Sequence, residues 1–289
     1  MTQKIPRWEI EELILEYIVT KKTKILVVEG NHDRDFFERW ALLSKVDEKK
    51  FRIETIDNVN VPDDLLIQYQ LCSGARSRVL MGAIVADKIQ DGRQGIRFIA
   101  DRDMGQDLEK FVSSPCLLVT DYPAIESYGL SLDVLNWFNR HQCGNKLPIN
   151  SQIYDDLCGV LCQLYELRKD DPHREGPKYE KGVPRKKQQR KSQRRSLIKD
   201  FNSAKAFGYL SSADTPIDRS ISGDPREFAY GHDIIGVLYS VYNEEFKKLH
   251  YVKKEKAEKD FRDAILDVGV HKNEKLFHAL CCFLNVVMG

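Results

Sequence analysis

Two groups of acidic residues follow short apolar runs in the sequence. Glu29 comes directly after a run of Ile, Leu and Val, and Asp33 lies four residues further on. Asp101 and Asp103 follow a second apolar run and are separated by a single residue. Carboxylates can bind a divalent cation, and a bound cation can activate water for the hydrolysis of a phosphodiester.

We expect these carboxylates to meet in space because both apolar runs have the composition of buried strands. Residues i and i+2 of an extended strand end point the same way, so Asp101 and Asp103 can face one point. In a parallel sheet Glu29 would join them at the carboxyl edge, where open α/β sheets bind ligands. Carboxylates this close repel one another unless a cation lies among them. Oxygen ligands favour Mg²⁺, Mn²⁺ or Ca²⁺ over zinc.

The elements that must position these residues are strands and helices in alternation. Apolar patterns predict strands at 24–28, 51–56, 96–100 and 116–119, and helices at 7–20, after Gly30, at 62–72 and at 79–89. This order is typical of an α/β fold with a mostly parallel sheet. We place this domain at residues 1–130.

The rest of the chain, residues 131–289, is predicted to be a largely α-helical extension. Its helical periodicity covers 129–168, 197–209, 228–249, 254–267 and 272–287. The apolar face of the last helix could close the core, or it could bury against a partner or a second copy of the chain. A basic loop is predicted at 169–196.

Two basic clusters could contact nucleic-acid phosphates. Gly74, Arg76 and Arg78 stand before a predicted helix and could cradle a phosphate, although they also suit a turn with solvated arginines. The second cluster contains no acidic residue and consists of Arg185, Lys186, Lys187, Arg190, Lys191, Arg194 and Arg195. Such a run can be a solvated linker, but beside an acidic metal site it favours a nucleic-acid arm, because phosphate contacts supply most non-specific affinity.

The bulk composition is that of an ordinary globular protein, with 42% hydrophobic and 31% charged residues among 289. The net charge is only +1, so no whole-protein field favours nucleic acid. The seven cysteines form no Cys-x-x-Cys pair, which favours reduced thiols and a cytoplasmic location. We expect neither a transmembrane helix nor a signal peptide.

The acidic motifs resemble those of the Toprim domain, in which Glu-Gly ends the first strand and Asp-x-Asp follows a later one. Val28-Glu29-Gly30-x-x-Asp33 most resembles the OLD branch of nucleases. The segments around Glu126 and Gly231-His232-Asp233 are similar to those of a family of stand-alone Toprim proteins, which includes effector nucleases of the PARIS anti-phage system. The likeness is close over 22–130 and loose over 225–245.

The resemblance implies a Rossmann-like Toprim fold and a phosphodiester nuclease that depends on Mg²⁺ or Mn²⁺. Glu29, Asp33, Asp101, Asp103 and Glu126 would hold the metal, and all of these except Asp33 would be catalytic, with Glu29 alternatively a general base or acid. It also implies a toxic effector that cleaves host nucleic acid, RNA and especially tRNA before DNA. An ABC-type ATPase partner would control it, since the sequence contains no phosphate-binding Gly-x-x-x-x-Gly-Lys-Ser/Thr motif.

Glu126 and His232 could also have structural roles. Glu126 could cap the start of a helix, where a carboxylate suits the helix dipole. His232 stands where the family pattern has a basic residue, so it could contact a phosphate, act as an acid–base group, or be a buried neutral histidine.

Other functions remain open for these motifs. A haloacid dehalogenase phosphatase also uses Asp-x-Asp, but that pair follows its first strand, where this sequence has Glu29-Gly30. A primase or topoisomerase fragment would share the Toprim domain without its usual accessory domains. The remaining alternatives are a DNA-processing OLD-like nuclease and a non-catalytic Toprim scaffold that binds a partner.

Overall fold

The computed structural model describes residues 7–20, 23–103, 113–171, 175–183, 197–209, 223–249, 251 and 253–286. The chain divides into two compact units. The first consists of Met1–Asp121 with His271–Gly289, and the second of Tyr122–Val270. This grouping differs from the predicted division after residue 130, because the C-terminal helix packs within the first unit.

The strands lie in the first unit and are β1 Trp8–Glu9, β2 Lys24–Val28, β3 Phe51–Thr55, β4 Val59–Asn60, β5 Ile96–Ala100 and β6 Leu117–Val119. The four longer strands form one sheet in the order β3-β2-β5-β6, and β1 pairs with β4. Every strand pair in the described residues is parallel. The predicted α/β class with parallel strands is therefore confirmed.

The helices are α1 Ile10–Thr20, α2 Asn31–Leu43, α3 Asp63–Gln68, α4 Ala75–Lys88, α5 Gly92–Gly95, α6 Leu132–His141, α7 Ser151–Asp170, α8 Tyr179–Gly182, α9 Ser203–Ala206, α10 Gly231–Val241, α11 Asn243–Lys248, α12 Lys254–Val268 and α13 Lys275–Leu284. Short 3₁₀ turns lie at Glu48–Lys50, Ile56–Asn58, Ile125–Gly129, Ile198–Asp200, Pro225–Phe228 and Val270–Asn273. Within the residues that the structure describes, no helix is both long enough and apolar enough to cross a bilayer.

Helices cover both faces of the main sheet. Ile25 and Val27 belong to a buried cluster with residues of α1 and α4. Leu26 and Val28 point to the opposite face because side chains alternate along a strand, and they are also fully buried. This burial on both faces explains why β2 is almost continuously apolar instead of alternating.

The contact between α4 and β5 is very close. Phe98 of β5 packs directly over Gly82, where an added Cβ would overlap the aromatic ring. Helix α4 therefore lies firmly against the strand that carries Asp101 at its end. This packing fixes the first turn of α4, with Arg76, relative to the end of β5.

In the N-terminal part of the first unit, the predicted boundaries of three helices were wrong for local reasons. Helix α4 begins at Ala75 instead of 79, because Gly74 supplies the extended residue before the first turn. The predicted helix 62–72 ends at Gln68, since Gln70 adopts a left-handed conformation with φ 55°. Trp8 and Glu9 form a strand with β4 before α1 begins.

The C-terminal helix α13 is anchored in the first unit by an aromatic cluster. The Phe277 ring lies 6.3 Å from those of Phe36 and Phe37 and 5.9 Å from that of Trp40. The Asp121 carboxylate accepts a hydrogen bond from the Leu276 N–H at 3.1 Å, in the first turn of α13. This contact gives Asp121 a structural role.

In the second unit, α10 is the most enclosed of the long helices. Its fully buried residues include Ile234, Ile235, Val237 and Leu238. A helix that is apolar around most of its circumference belongs in the interior of a helical assembly. Other helices of this unit pack against α10, which begins at Gly231.

Phe277→Ala should lower the free energy of unfolding by about 3–5 kcal/mol, because it leaves a cavity within the aromatic cluster. Urea unfolding measures the change. His278→Ala is the matched control, since this neighbour is exposed and its removal should change stability by less than about 0.5 kcal/mol. Equal midpoints for Phe277→Ala and the wild type would contradict the anchoring of α13.

Candidate functional site

The order of the sheet brings Glu29 and Asp101 together. Strands β2 and β5 are parallel neighbours, with Val27 opposite Phe98. Glu29 follows the last residue of β2, and Asp101 follows the last residue of β5. A Glu29 carboxylate oxygen accepts a hydrogen bond from the Asp101 N–H at 3.1 Å. The two acidic motifs therefore meet at the carboxyl edge of the sheet, where ligands bind in open α/β folds.

Asp33 lies in the first turn of α2, close to Glu29. Its carboxylate accepts a hydrogen bond from the Gly30 N–H at 3.1 Å. This bond satisfies a backbone donor at the helix start, and the negative charge suits the helix dipole. Asp33 thus holds the turn that joins β2 to α2, in addition to its predicted role as a metal ligand.

The backbone of residues 101–103 is held from three sides. Glu29 accepts the Asp101 N–H, and Thr120 Oγ1 accepts the Arg102 N–H at 2.8 Å. Arg76 Nε lies 3.1 Å from the Asp101 carbonyl oxygen and 3.1 Å from Asp103 Oδ2. Thr120 was not predicted as a site residue, although its place directly after β6 at the same edge of the sheet could have indicated it.

The two arginines of α4 contact different parts of the protein. Arg76 binds the 101–103 segment, whereas Arg78 donates hydrogen bonds to the carbonyl oxygens of Ile56 and Val59 at 3.0 and 2.6 Å. Arg78 also lines a cleft of about 360 Å³ with Gly74. The predicted phosphate contacts of both arginines remain predictions, because each guanidinium binds the protein's own oxygen atoms in this structure.

The electrostatic environment of Glu29 is unusual. Burial raises the pKa of the Glu29 carboxyl from 4.5 to about 7. The Asp101 N–H opposes this shift, the charges of Asp33 and Asp103 increase it, and Arg76 reduces it. Asp33 and Asp103 are thus close enough to Glu29 to disfavour its ionisation.

The donor atoms at this edge are of the chemical type that a hard divalent cation binds, since Glu29, Asp33 and Asp103 each carry a carboxylate. Burial raises the pKa of Glu29 first, and the charges of Asp33 and Asp103 add to it. In the described residues, no group of three or more His, Cys, Asp or Glu side chains has the arrangement of a metal site. The Asp103 carboxylate is paired with the Arg76 guanidinium instead.

Glu126 lies in the second unit, where it forms a buried ion pair. Its carboxylate accepts a hydrogen bond from Arg262 at 2.7 Å, and the two residues are 5% and 4% exposed. Gly231 packs against Glu126 so closely that a Cβ would overlap the second carboxylate oxygen. The predicted role of Glu126 as a ligand or catalytic group stays a prediction, and its pairing with Arg262 was not foreseen.

His232 is the second predicted residue in this unit. Its side chain is 50% exposed, so a buried histidine was the wrong alternative. Its Nδ1 lies 3.5 Å from a Glu258 carboxylate oxygen, which also pairs with Lys254 at 2.8 Å. The neighbouring Glu258 carboxylate raises the pKa of His232, and the nearby Glu126 charge acts in the same direction.

Asp233 forms a further buried network that sequence reasoning missed. Arg168 donates two hydrogen bonds to the fully buried Asp233 carboxylate, at 2.7 and 2.9 Å. The Tyr179 hydroxyl donates a third at 2.8 Å. Asp233 and its two partners lie in three separate helices, and no local sequence pattern indicates that they meet.

The second basic cluster of Arg185, Lys186, Lys187, Arg190, Lys191, Arg194 and Arg195 lies outside the described residues. Its proposed role as a nucleic-acid arm stays a prediction. Among the predicted site residues, Glu29, Asp33, Asp101, Asp103 and Arg76 form one group in the first unit. Glu126 and His232 form another in the second unit.

Glu29→Gln should change how stability depends on pH. A carboxyl with a raised folded-state pKa stabilises the protein fully below pH 4.5 and loses that contribution as the pH rises through about 7. The amide does not titrate, so the variant should gain on the order of 1–3 kcal/mol relative to wild type between pH 4.5 and 8.

Urea unfolding at pH 4.5 and pH 8 in the presence of EDTA measures this difference. Asp35→Asn is the matched control, because Asp35 is a carboxylate of the adjacent helix α2 that lies outside the acidic group. A constant difference between Glu29→Gln and wild type across this pH range would contradict the raised pKa.

Comparison with protein-family models gave no match for this chain, and comparison with curated proteins also gave none. The functional interpretation therefore depends on the geometry of the site together with the motif resemblance.

Proposed function

We propose that the protein is a metal-dependent phosphodiester nuclease of the Toprim type. The observation that supports this proposal most strongly is the hydrogen bond of 3.1 Å between the Glu29 carboxylate and the Asp101 N–H. It joins the two acidic motifs at the carboxyl edge of a parallel sheet, with Asp33 and Asp103 near enough to raise the pKa of Glu29. Such a concentration of carboxylates suits Mg²⁺ or Mn²⁺.

Each residue has a defined part in this proposal. Glu29, Asp101 and Asp103 would hold the metal, and Asp33, from the start of α2, would complete its shell. Bound Mg²⁺ would activate water and stabilise the leaving oxygen of the phosphodiester. The Toprim resemblance also allows Glu29 to act as a general base or acid, and it adds Glu126 to the catalytic group.

The substrate and the control of the enzyme come from the resemblance alone. We propose nucleic acid of the host as the substrate, with RNA and especially tRNA favoured over DNA. We also propose that the enzyme is a toxic effector of anti-phage defence under the control of an ABC-type ATPase. The basic segment 185–195 would contribute phosphate contacts, which favour binding without selecting a sequence.

A cleavage assay with the purified chain tests the proposed activity. Wild-type protein should cut labelled RNA in the presence of Mg²⁺ or Mn²⁺ and should lose activity in EDTA. Glu29→Ala and Asp103→Asn should each lower the rate at least about 100-fold, because each removes a group that stabilises the reacting charges. Asp35→Asn should retain the wild-type rate, and circular dichroism should show that all variants are folded.

Parallel reactions with tRNA, single-stranded DNA and duplex DNA identify the substrate class. Preferential cleavage of DNA would support an OLD-like DNA-processing nuclease. Full activity in both Glu29→Ala and Asp103→Asn would exclude this site as the catalytic centre. An inert wild-type protein on every substrate would favour the scaffold alternative.

A further inference from the structure

Arg76 occupies an unexpected position in the candidate metal site. Its Nε lies 3.1 Å from the Asp103 carboxylate and 3.1 Å from the Asp101 carbonyl oxygen, and a terminal nitrogen lies 3.4 Å from the Arg102 carbonyl oxygen. These acceptors are carboxylate and carbonyl oxygens, which are also the atoms that a hard divalent cation binds. The guanidinium therefore competes for oxygen atoms at the edge where we propose the metal.

Arg76 lies at a position where its own helix does not favour a positive charge. Arg76 is the second residue of α4, and a cation near a helix N-terminus is disfavoured by the helix dipole. The acidic edge of the sheet compensates for this, since Asp103 pairs directly with the guanidinium. Arg76 is thus held by its partners at the site and not by a preference of its own helix.

The side chain is also partly sheltered from water, which strengthens the interaction. Arg76 is 22% exposed and Asp103 is 29% exposed, so solvent screens this pair less than a fully exposed one. The planar guanidinium can bind a carboxylate and neighbouring carbonyls together, which a lysine ammonium does less well. Asp103 itself adopts a left-handed backbone conformation with φ 48°, so its backbone is in a conformation that needs support from its surroundings.

We propose that Arg76 is a built-in counter-ion that sets the metal affinity of this site. In metal-free protein the guanidinium neutralises Asp103 and holds the 101–103 backbone. A divalent cation must displace it from Asp103, and the released guanidinium is then available to a substrate phosphate. This inference rests on the proposed function, because it takes the acidic edge to be the metal site.

Isothermal titration with Mn²⁺ in the absence of nucleic acid tests the proposal. Arg76→Gln should bind Mn²⁺ about fivefold more tightly than wild type, because the partly exposed ion pair that competes with the metal is gone. The melting temperature of metal-free Arg76→Gln should be lower than that of wild type, and its increase on adding Mn²⁺ should be larger. Arg76→Lys should bind with intermediate affinity, because it keeps the charge but loses the planar fork.

The matched control is Arg78→Gln, which removes an arginine from the same helix whose described hydrogen bonds go to Ile56, Val59 and Asp57. Its Mn²⁺ affinity should equal that of wild type. Glu29→Gln reports whether the ion lies at this site, since it should weaken binding. Arg76→Lys also serves if the Gln variant does not fold.

The outcomes distinguish a failure of the counter-ion role of Arg76 from a failure of the proposed metal-dependent function. Equal or weaker Mn²⁺ binding in both Arg76 variants, with binding still dependent on Glu29, would overturn the counter-ion role and leave the metal site intact. Equal tightening in Arg76→Gln and Arg78→Gln would also overturn it, because it would reflect general charge and not the contact with Asp103. The absence of Glu29-dependent binding in every variant would overturn the proposed function, and the counter-ion role with it.

Discussion

The candidate site depends on the burial and the mutual repulsion of carboxylates that a parallel sheet places at one edge. The Glu29 carboxylate is partly buried beside Asp33 and Asp103, and burial together with these charges raises its pKa to about 7. Folding against such repulsion requires compensating contacts. The Asp101 N–H, the Gly30 N–H bound by Asp33, and the Arg76 guanidinium provide them. Each contact also holds a segment of the chain that carries one of these acidic residues.

The buried charges of the second unit are arranged differently. Glu126 is paired with Arg262, Asp233 with Arg168 and Tyr179, and Glu258 with His232 and Lys254. Each of these buried acids therefore has a cationic or hydrogen-bonding partner, as burial of charge requires. At the acidic edge of the first unit, by contrast, Asp33 and Asp103 lie near Glu29, and Arg76 pairs with Asp103.

Features set by local sequence were predictable. Strand β2 is apolar because both faces are covered, and the turn to α2 follows from Gly30 and Asp33, so the position of Glu29 at a strand end could be inferred. The meeting of Glu29 with Asp101 required only that β2 and β5 be parallel neighbours. The partners of Asp233 and Glu126 could not be inferred, because they come from distant helices whose packing leaves no periodic signal.

The contacts of Arg76 in the first unit likewise could not be inferred from the sequence. The sequence indicated a basic residue near a helix start, and phosphate binding was the natural interpretation. The structure turns the guanidinium to Asp103 and to the backbone of residues 101 and 102. That direction depends on the close packing of α4 on β5, where Phe98 fills the space above Gly82. Arg76 therefore has a structural role that the sequence did not indicate.

We propose that Glu29 and Asp103 share a divalent metal ion. The most direct measurement is anomalous X-ray diffraction from crystals of the wild-type chain grown with Mn²⁺. We expect an anomalous peak about 2.1 Å from oxygen atoms of both carboxylates, with the Arg76 guanidinium withdrawn from Asp103. Mn²⁺ bound elsewhere, with this edge of the sheet empty and the Arg76–Asp103 pair intact, would contradict it.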